Sequence, residues 1–233
     1  MSGFWHDRLR ALLRRTVDDS TWPEDLRRYR REHTPPDQRT PLSSVRFVVF
    51  DTETTGLDIG QDRLLSIGAV VVRDRSIQIS ESFERMVRSQ EVGRDAAPIH
   101  GLVLADLAAG GEPIDVAAAF LAFAASSVLV AHHAAFDVAM IRKTLASFVG
   151  AHIENPIVDT EVLARRLEHG PTAKGDPTAR RRSLDDLAME AQVELSERHT
   201  AMGDALATAT ILLRLLARAE QRGIHTLRAL LRG

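Results

Sequence analysis

The chain contains no cysteine, which removes disulfides, thiolate metal ligands and cysteine nucleophiles at one stroke. Any metal it binds must be held by carboxylates, histidines or water. Aromatic residues are few, with one tyrosine and two tryptophans among 233 residues. No aromatic-rich face for stacking bases is therefore available, and tight sequence-specific binding is not expected. No apolar run approaches the roughly 20 residues of a membrane span. Met1 to Arg15 is charged and has no long apolar core, so no membrane span is expected and a cytoplasmic location is the default expectation. Nor is there an excess of charge. A formal net charge of -2 gives the whole molecule no strong field toward a polyanionic partner, and local patches must carry any such interaction.

What is present is ordinary for a folded protein: 44% apolar and 27% charged residues, in a length that suits one substantial domain with a small addition. Residues 1–44 read as that addition, a helical appendage and linker. They are arginine-rich, place Leu9, Leu12 and Leu13 on one helical face, and start a second helix at Pro23-Glu24-Asp25 with acids in its first turn. The remaining 45–233 form the main domain. Val45 to Phe50 is an apolar run typical of a strand buried on both faces. Leu64 to Val72 and Ile77 to Val87 are β-rich and joined through Arg73-Asp74-Arg75-Ser76, which predicts antiparallel pairing. A helix over Pro113–Ala125, a strand over Val128–Ala131, a helix over Phe136–Phe148 and a strand over Ile157–Asp159 then alternate, which predicts a parallel portion of the same sheet. Helices over Ser183–Ala191, Ala201–Ala219 and His225–Leu231 complete the α/β pattern. Two basic runs, Arg27, Arg28, Arg30 and Arg31, then Lys174 and Arg180 to Arg182, read by themselves as solvated faces.

The chemistry-bearing residues lie at element ends. In Phe50-Asp51-Thr52-Glu53-Thr54-Thr55-Gly56-Leu57, side chains two apart on a strand share a face, so Asp51 and Glu53 project together. Two such acids repel unless a cation lies between them, and hard oxygen ligands suit Mg²⁺ or Mn²⁺. A second acid, Asp137, opens a helix just after the strand ending at Ala131. A third segment, His199-Thr200-Ala201-Met202-Gly203-Asp204, leads into the long apolar helix. Each has an ordinary structural reading when taken singly: a polar strand end, a first-turn acid, a loop histidine.

Taken together, the three segments resemble the three motifs of the DnaQ-like DEDDh exonucleases in order, spacing and residue type. Asp51 and Glu53 match the first motif, Asp137 the second, and His199 with Asp204 the third. Pro98-Ile99-His100-Gly101-Leu102 and Arg182-Ser183-Leu184-Asp185-Asp186-Leu187 are similar to further family segments. The chain departs from the family where many members carry His-Asn and it has His132-His133.

The resemblance implies a ribonuclease-H-like fold with a five-stranded mixed sheet flanked by helices. It also implies hydrolysis of phosphodiester bonds from the 3′ end of nucleic acid, releasing nucleoside 5′-monophosphates, with two divalent ions, Mg²⁺ or Mn²⁺. Asp51, Glu53, Asp137 and Asp204 would hold the metals, and His199 would be the general base, a task that imidazole suits near neutral pH. Thr54, Gly56, Leu57, His100 and Arg182 are the expected substrate contacts, with Leu57 either against the terminal base or buried beneath its own turn. Single-stranded 3′ ends are the expected partner, DNA ahead of RNA. RNA end trimming and a binding or assembly module without turnover are the alternatives. Association with a polymerase is known among relatives, and no motif here demands it.

Overall fold

The computed structural model describes residues 18–93, 101–148, 150–170 and 181–232. Its five strands are β1 (Phe47–Thr54), β2 (Leu64–Arg73), β3 (Ser76–Met86), β4 (Val128–Ala131) and β5 (Ile157–Asp159), in the order β3-β2-β1-β4-β5. β1 pairs antiparallel with β2 and parallel with β4, so the predicted mixed sheet pivots on the strand that carries Asp51 and Glu53. Strand order reverses around β1, and open α/β sheets place ligand sites beyond the carboxyl ends of strands at such a switch point.

The eight helices described are α1 (Glu24–Glu32), α2 (Leu104–Ala108), α3 (Pro113–Ala124), α4 (Ala135–Thr144), α5 (Thr160–His169), α6 (Leu184–Glu190), α7 (Ala201–Gln221) and α8 (Leu227–Leu231). They cover both faces of the sheet. Even-numbered side chains of β1, Val48 and Phe50, join Phe120 and Leu121 of α3 and Val138 and Ile141 of α4 in one core. Odd-numbered ones, Phe47 and Val49, join Leu163 of α5 and Ile211, Leu212 and Leu215 of α7 in the other. Burying each such side chain is worth roughly 1.5–3 kcal/mol, so these two cores outweigh the cost of lodging a few carboxylates at the sheet's end.

The N-terminal segment is part of this packing. Pro23 caps α1, with Glu24 and Asp25 in the first turn as predicted. Trp22, Leu26 and Tyr29 are buried in the α3 core, and the Tyr29 hydroxyl donates to Asn155 Oδ1 at 2.6 Å. Residues 22–33 thus dock on the main domain, while the expected helix around Leu9 to Leu13 lies outside the described residues. The arginines of α1 are paired with neighbouring acids, Arg27 with Glu24 and Arg28 with Asp25 among them.

Four elements differ from expectation, the first being helix α2, which the sequence reading did not place. β1 runs on through the acids to Thr54, because its partner β2 continues opposite them as far as Leu64. The helix expected to reach Phe148 ends at Thr144 and gives way to turns that bring Phe148 edge-on to Trp22 at 6.1 Å. Helix α5, unforeseen, starts where the Asp159 side chain accepts hydrogen bonds from the amides of Glu161 and Val162, an N-cap signal the sequence does contain.

Candidate active site

Asp51 and Glu53 continue the odd-numbered face of β1 and therefore point toward α7, whose first turn carries Asp204. Ligand oxygens of Asp51, Glu53 and Asp204 lie within 4.8 Å of one another. A glycine that the sequence reading passed over makes this possible. Gly68 sits opposite Asp51 in β2, and a Cβ there would lie 2.3 Å from the Ala201 carbonyl carbon and 2.4 Å from the Met202 nitrogen. The missing side chain lets the start of α7 press onto the sheet beside Asp51. Gly203 serves the same first turn, since a Cβ on it would lie 2.1 Å from the Glu197 carbonyl oxygen.

Asp137 arrives from the opposite face, in the first turn of α4. Its Oδ1 accepts hydrogen bonds from the Thr52 amide at 3.0 Å and the Thr52 hydroxyl at 2.6 Å. Thr52 thereby ties this acid to the strand that carries the other two. A further acid not foreseen, Asp159 at the end of β5, accepts a hydrogen bond from the Ala134 amide at 3.0 Å and so anchors the turn into α4.

Burial and mutual repulsion dominate the electrostatics. Burial first, then the charges of Asp137, Asp204 and Glu53, push the Asp51 carboxyl well above its usual range, with Arg198 opposing. Burial lifts Glu53 to about 7, helped by Asp204 and Asp137. Burial lifts Asp137 to about 7 against the hydrogen bonds from Thr52. Three hard, mutually repelling oxygen donors at this spacing fit a divalent cation, whose charge would remove the conflict and restore the ionised forms. Neither thiolate nor imidazole belongs to this cluster.

His199 precedes α7 on a left-handed backbone, φ 63°, and is exposed. Its amide reaches toward Asp204 Oδ1 at 3.4 Å, and its proximity helps lower the pKa of Asp185. His132 is structural: Nε2 lies 3.0 Å from the Arg182 carbonyl oxygen, which can only accept, so that nitrogen carries the proton, and Nδ1 faces the Thr160 hydroxyl at 3.0 Å. Burial lowers its pKa, against the hydrogen bond to Arg182, which raises it. His133 has φ 56°, in the left-handed region that asparagine tolerates.

The expected substrate contacts divide. Leu57 is 84% exposed, which excludes burial beneath its turn. Thr54 is buried, and its hydroxyl donates to the Gly56 carbonyl at 2.7 Å, closing the turn from within. A Cβ on Gly56 would lie 2.5 Å from Asp62 Oδ2, so the Asp62 carboxylate would have to shift. Arg182 does not stand free to meet a phosphate. Its guanidinium meets Glu168 at 2.7 Å and Glu190 at 3.0 Å, with Glu161 at 3.9 Å, because the helices on either side of its loop present those acids inward. His100, Lys174 and Arg180 lie outside the described residues.

With this geometry in place, the family model RNase_T, described as Exonuclease, matches residues 48–212, a span running from β1 to the middle of α7. The chain belongs to this exonuclease family. The exonuclease domain is 37% identical over 196 residues to a DNA polymerase III subunit epsilon-like protein of Rhodobacter capsulatus, covering 82% of the chain and 27% of that relative. It is 35% identical over 181 residues to a PolC-type DNA polymerase III of Caldanaerobacter subterraneus, covering 77% of the chain and 12% of that polymerase. The chain thus spans about a quarter or less of these relatives. Its fold is that of E. coli Exonuclease I, solved with a dT13 oligonucleotide, with a TM-score of 0.61 at 19% identity over 77% of this chain and 43% of that one. The RNase_T match and the epsilon-like and PolC relatives place it among the DnaQ-like exonucleases by family, and its acidic group could hold a metal ion. Among the described residues no helix is long and apolar enough to cross a membrane.

Proposed function

We propose that the chain is a DEDDh-type 3′→5′ exonuclease that shortens single-stranded nucleic acid, DNA ahead of RNA, one nucleotide at a time. The observation that carries this reading is the convergence of Asp51, Glu53 and Asp204 within 4.8 Å, with Asp137 fastened to the intervening Thr52. Asp51, Glu53 and Asp204 would hold one Mg²⁺ or Mn²⁺, and Asp51 with Asp137 a second. Such ions, when bound, neutralise charge at the phosphate, acidify the attacking water and stabilise the departing 3′ oxygen.

The rest falls to the chain's own side chains. His199, exposed at the rim of the acid cluster, takes the proton of the attacking water. The water oxygen bonds to phosphorus, the bond from phosphorus to the 3′ oxygen breaks, and that oxygen takes a proton from solvent to become the hydroxyl of the shortened strand. The released nucleotide carries a 5′-phosphate. Leu57, presented to solvent on the turn at the end of β1, packs against the terminal base, while the backbone of Thr54 to Leu57 borders its sugar. Contacts of this kind position a strand without reading its sequence, in keeping with the shortage of aromatic side chains.

The test is a time course on 5′-labelled single-stranded DNA with Mn²⁺, run beside a matched RNA. A descending ladder from the unaltered protein and none from Asp51→Ala is the expected outcome. Cleavage that survives Asp51→Ala, or that starts from the 5′ end, would overturn the assignment. Faster loss of the RNA strand would transfer the same chemistry to RNA end trimming.

A further inference from the structure

Arg198, next to His199, belongs to none of the motif positions, yet it is the one cation that meets the acid cluster among the described residues. Its guanidinium is gripped from behind by Asp185 of α6: Nε lies 2.9 Å from Oδ1 and Nη2 lies 3.1 Å from Oδ2. This two-pronged pairing fixes the plane of the group as well as its position. The remaining nitrogen, Nη1, donates to Asp204 Oδ1, the same oxygen that the His199 amide approaches. One oxygen of Asp204 is thus engaged on the loop side, which fixes how its carboxylate meets Asp51 and Glu53.

The loop itself has little freedom to undo this arrangement. Glu197 and His199, on either side of Arg198, both take left-handed backbone angles, φ 53° and 63°. Such angles in non-glycine residues persist only where surrounding contacts over-determine them. Here Thr200 supplies two of them, donating its hydroxyl to the Glu197 carbonyl at 2.8 Å and accepting from the Gly203 amide at 3.0 Å. Gly203 in turn packs directly under that carbonyl.

We propose that Arg198, clamped by Asp185, is a positioning residue that orients the Asp204 carboxylate toward the metal-binding cluster and holds His199 beside it. The inference rests on the function proposed above and adds to it a dependence on the shape of the guanidinium. A lysine would keep the charge but could not grip Asp185 and reach Asp204 at once.

The test measures Mn²⁺ binding by calorimetry to the full chain stripped of metal, with kcat and KM on single-stranded DNA alongside. Asp204 contacts of this kind, when lost, typically cost a site 10- to 100-fold in metal affinity. Arg198→Gln and Arg198→Lys are both expected to weaken Mn²⁺ binding by about that factor and to lower kcat with KM changed less than about twofold. Asp185→Asn, at an exposed position, is expected to weaken binding in the same direction. Combined with Arg198→Gln it should add nothing further, because the two act through one contact. Mn²⁺ binding by Arg198→Lys equal to that of the unaltered chain would show that charge alone matters and would overturn the inference. So would tighter binding by Arg198→Gln, or additive losses in the double variant. If Arg198→Gln unfolds, Asp185→Asn decides alone, and its unchanged affinity would overturn the proposal. An unaltered chain that takes up no Mn²⁺ would instead sink the metal-dependent reading itself, so the two failures are told apart.

Discussion

At Gly68 a single hydrogen in place of a methyl group decides whether the acids meet. Gly68→Ala would drive a Cβ into the backbone of Ala201 and Met202, and backbone cannot swing aside as a flexible side chain can. The start of α7 must therefore retreat, taking Asp204 with it. We expect nuclease activity to fall at least about 100-fold and stability by roughly 1–3 kcal/mol, read from kcat/KM and urea unfolding. Normal activity would show that α7 need not touch the sheet here. Thr52 acts on a subtler scale. Thr52→Val removes the hydroxyl that donates to Asp137 at 2.6 Å, one of the contacts holding that acid's pKa down. Its loss raises the metal-free pKa further, so Mn²⁺ binding by the metal-stripped chain should need a higher pH, with affinity down about tenfold near neutrality. An unmoved pH dependence of binding would remove Asp137 from the ionisations that compete with the metal. Neither Gly68 nor Thr52 stood out in the sequence, because a glycine in a strand and a threonine between two acids have local readings that suffice. The four acids and the histidine did stand out, since three separated segments had to match at once.

The turn after β1 shows how a whole element is aimed. Asp62 accepts hydrogen bonds from the Thr55 hydroxyl at 2.7 Å and the Asp58 amide at 2.8 Å. Lys143 of α4 reaches across to the carbonyl oxygens of Gly60 at 3.0 Å and Asp62 at 2.7 Å. The turn that lifts Leu57 into solvent is thus latched to the helix that carries Asp137. Lys143→Ala should loosen it while leaving the acids in place, so KM for single-stranded DNA is expected to rise about 3- to 10-fold with kcat falling less than about threefold. Hydrogen exchange should quicken across residues 56–62 alone. A fall in kcat with KM unchanged would mean that the latch serves chemistry and not binding. Element identity was largely legible, since buried strands and amphipathic helices announce themselves by periodicity. Four elements were less so: α2 was not foreseen, and α4 ends at Thr144 short of Phe148. The strand outran its apolar segment because pairing with β2 continued, and α5 was passed over because its cap lies inside what reads as a strand end.

For the molecule as a whole, the acid cluster sets a conflict between stability and function that depends on pH. Glu53 and Asp137 are raised to about 7, and Asp51 is raised as well. Their folded pKa values exceed the unfolded ones near 4, so the folded chain binds more protons between those limits. Metal-free stability is then highest below the unfolded values and declines as pH rises toward 7. Thermal unfolding of metal-stripped protein should show a lower midpoint at pH 8 than at pH 5.5. Mn²⁺ should restore it more at pH 8, where it competes with fewer protons. Asp51→Asn, by removing one repelling charge, should raise the metal-free midpoint at pH 8 by roughly 2–8 °C. Midpoints independent of pH would mean that the acids do not share one buried site. What the sequence determined by itself was the set of strands and helices at the heart of the sheet, the positions of the five motif residues and the family they resemble. Those features are written in local alternation, spacing and element-end residues. Only the tertiary structure decided that Gly68 admits α7, that Arg182 is consumed by three glutamates while Leu57 stands exposed, and that Arg198 links Asp185 to Asp204. Each of these depends on the distance between segments far apart in the chain, which packing sets and no local pattern records.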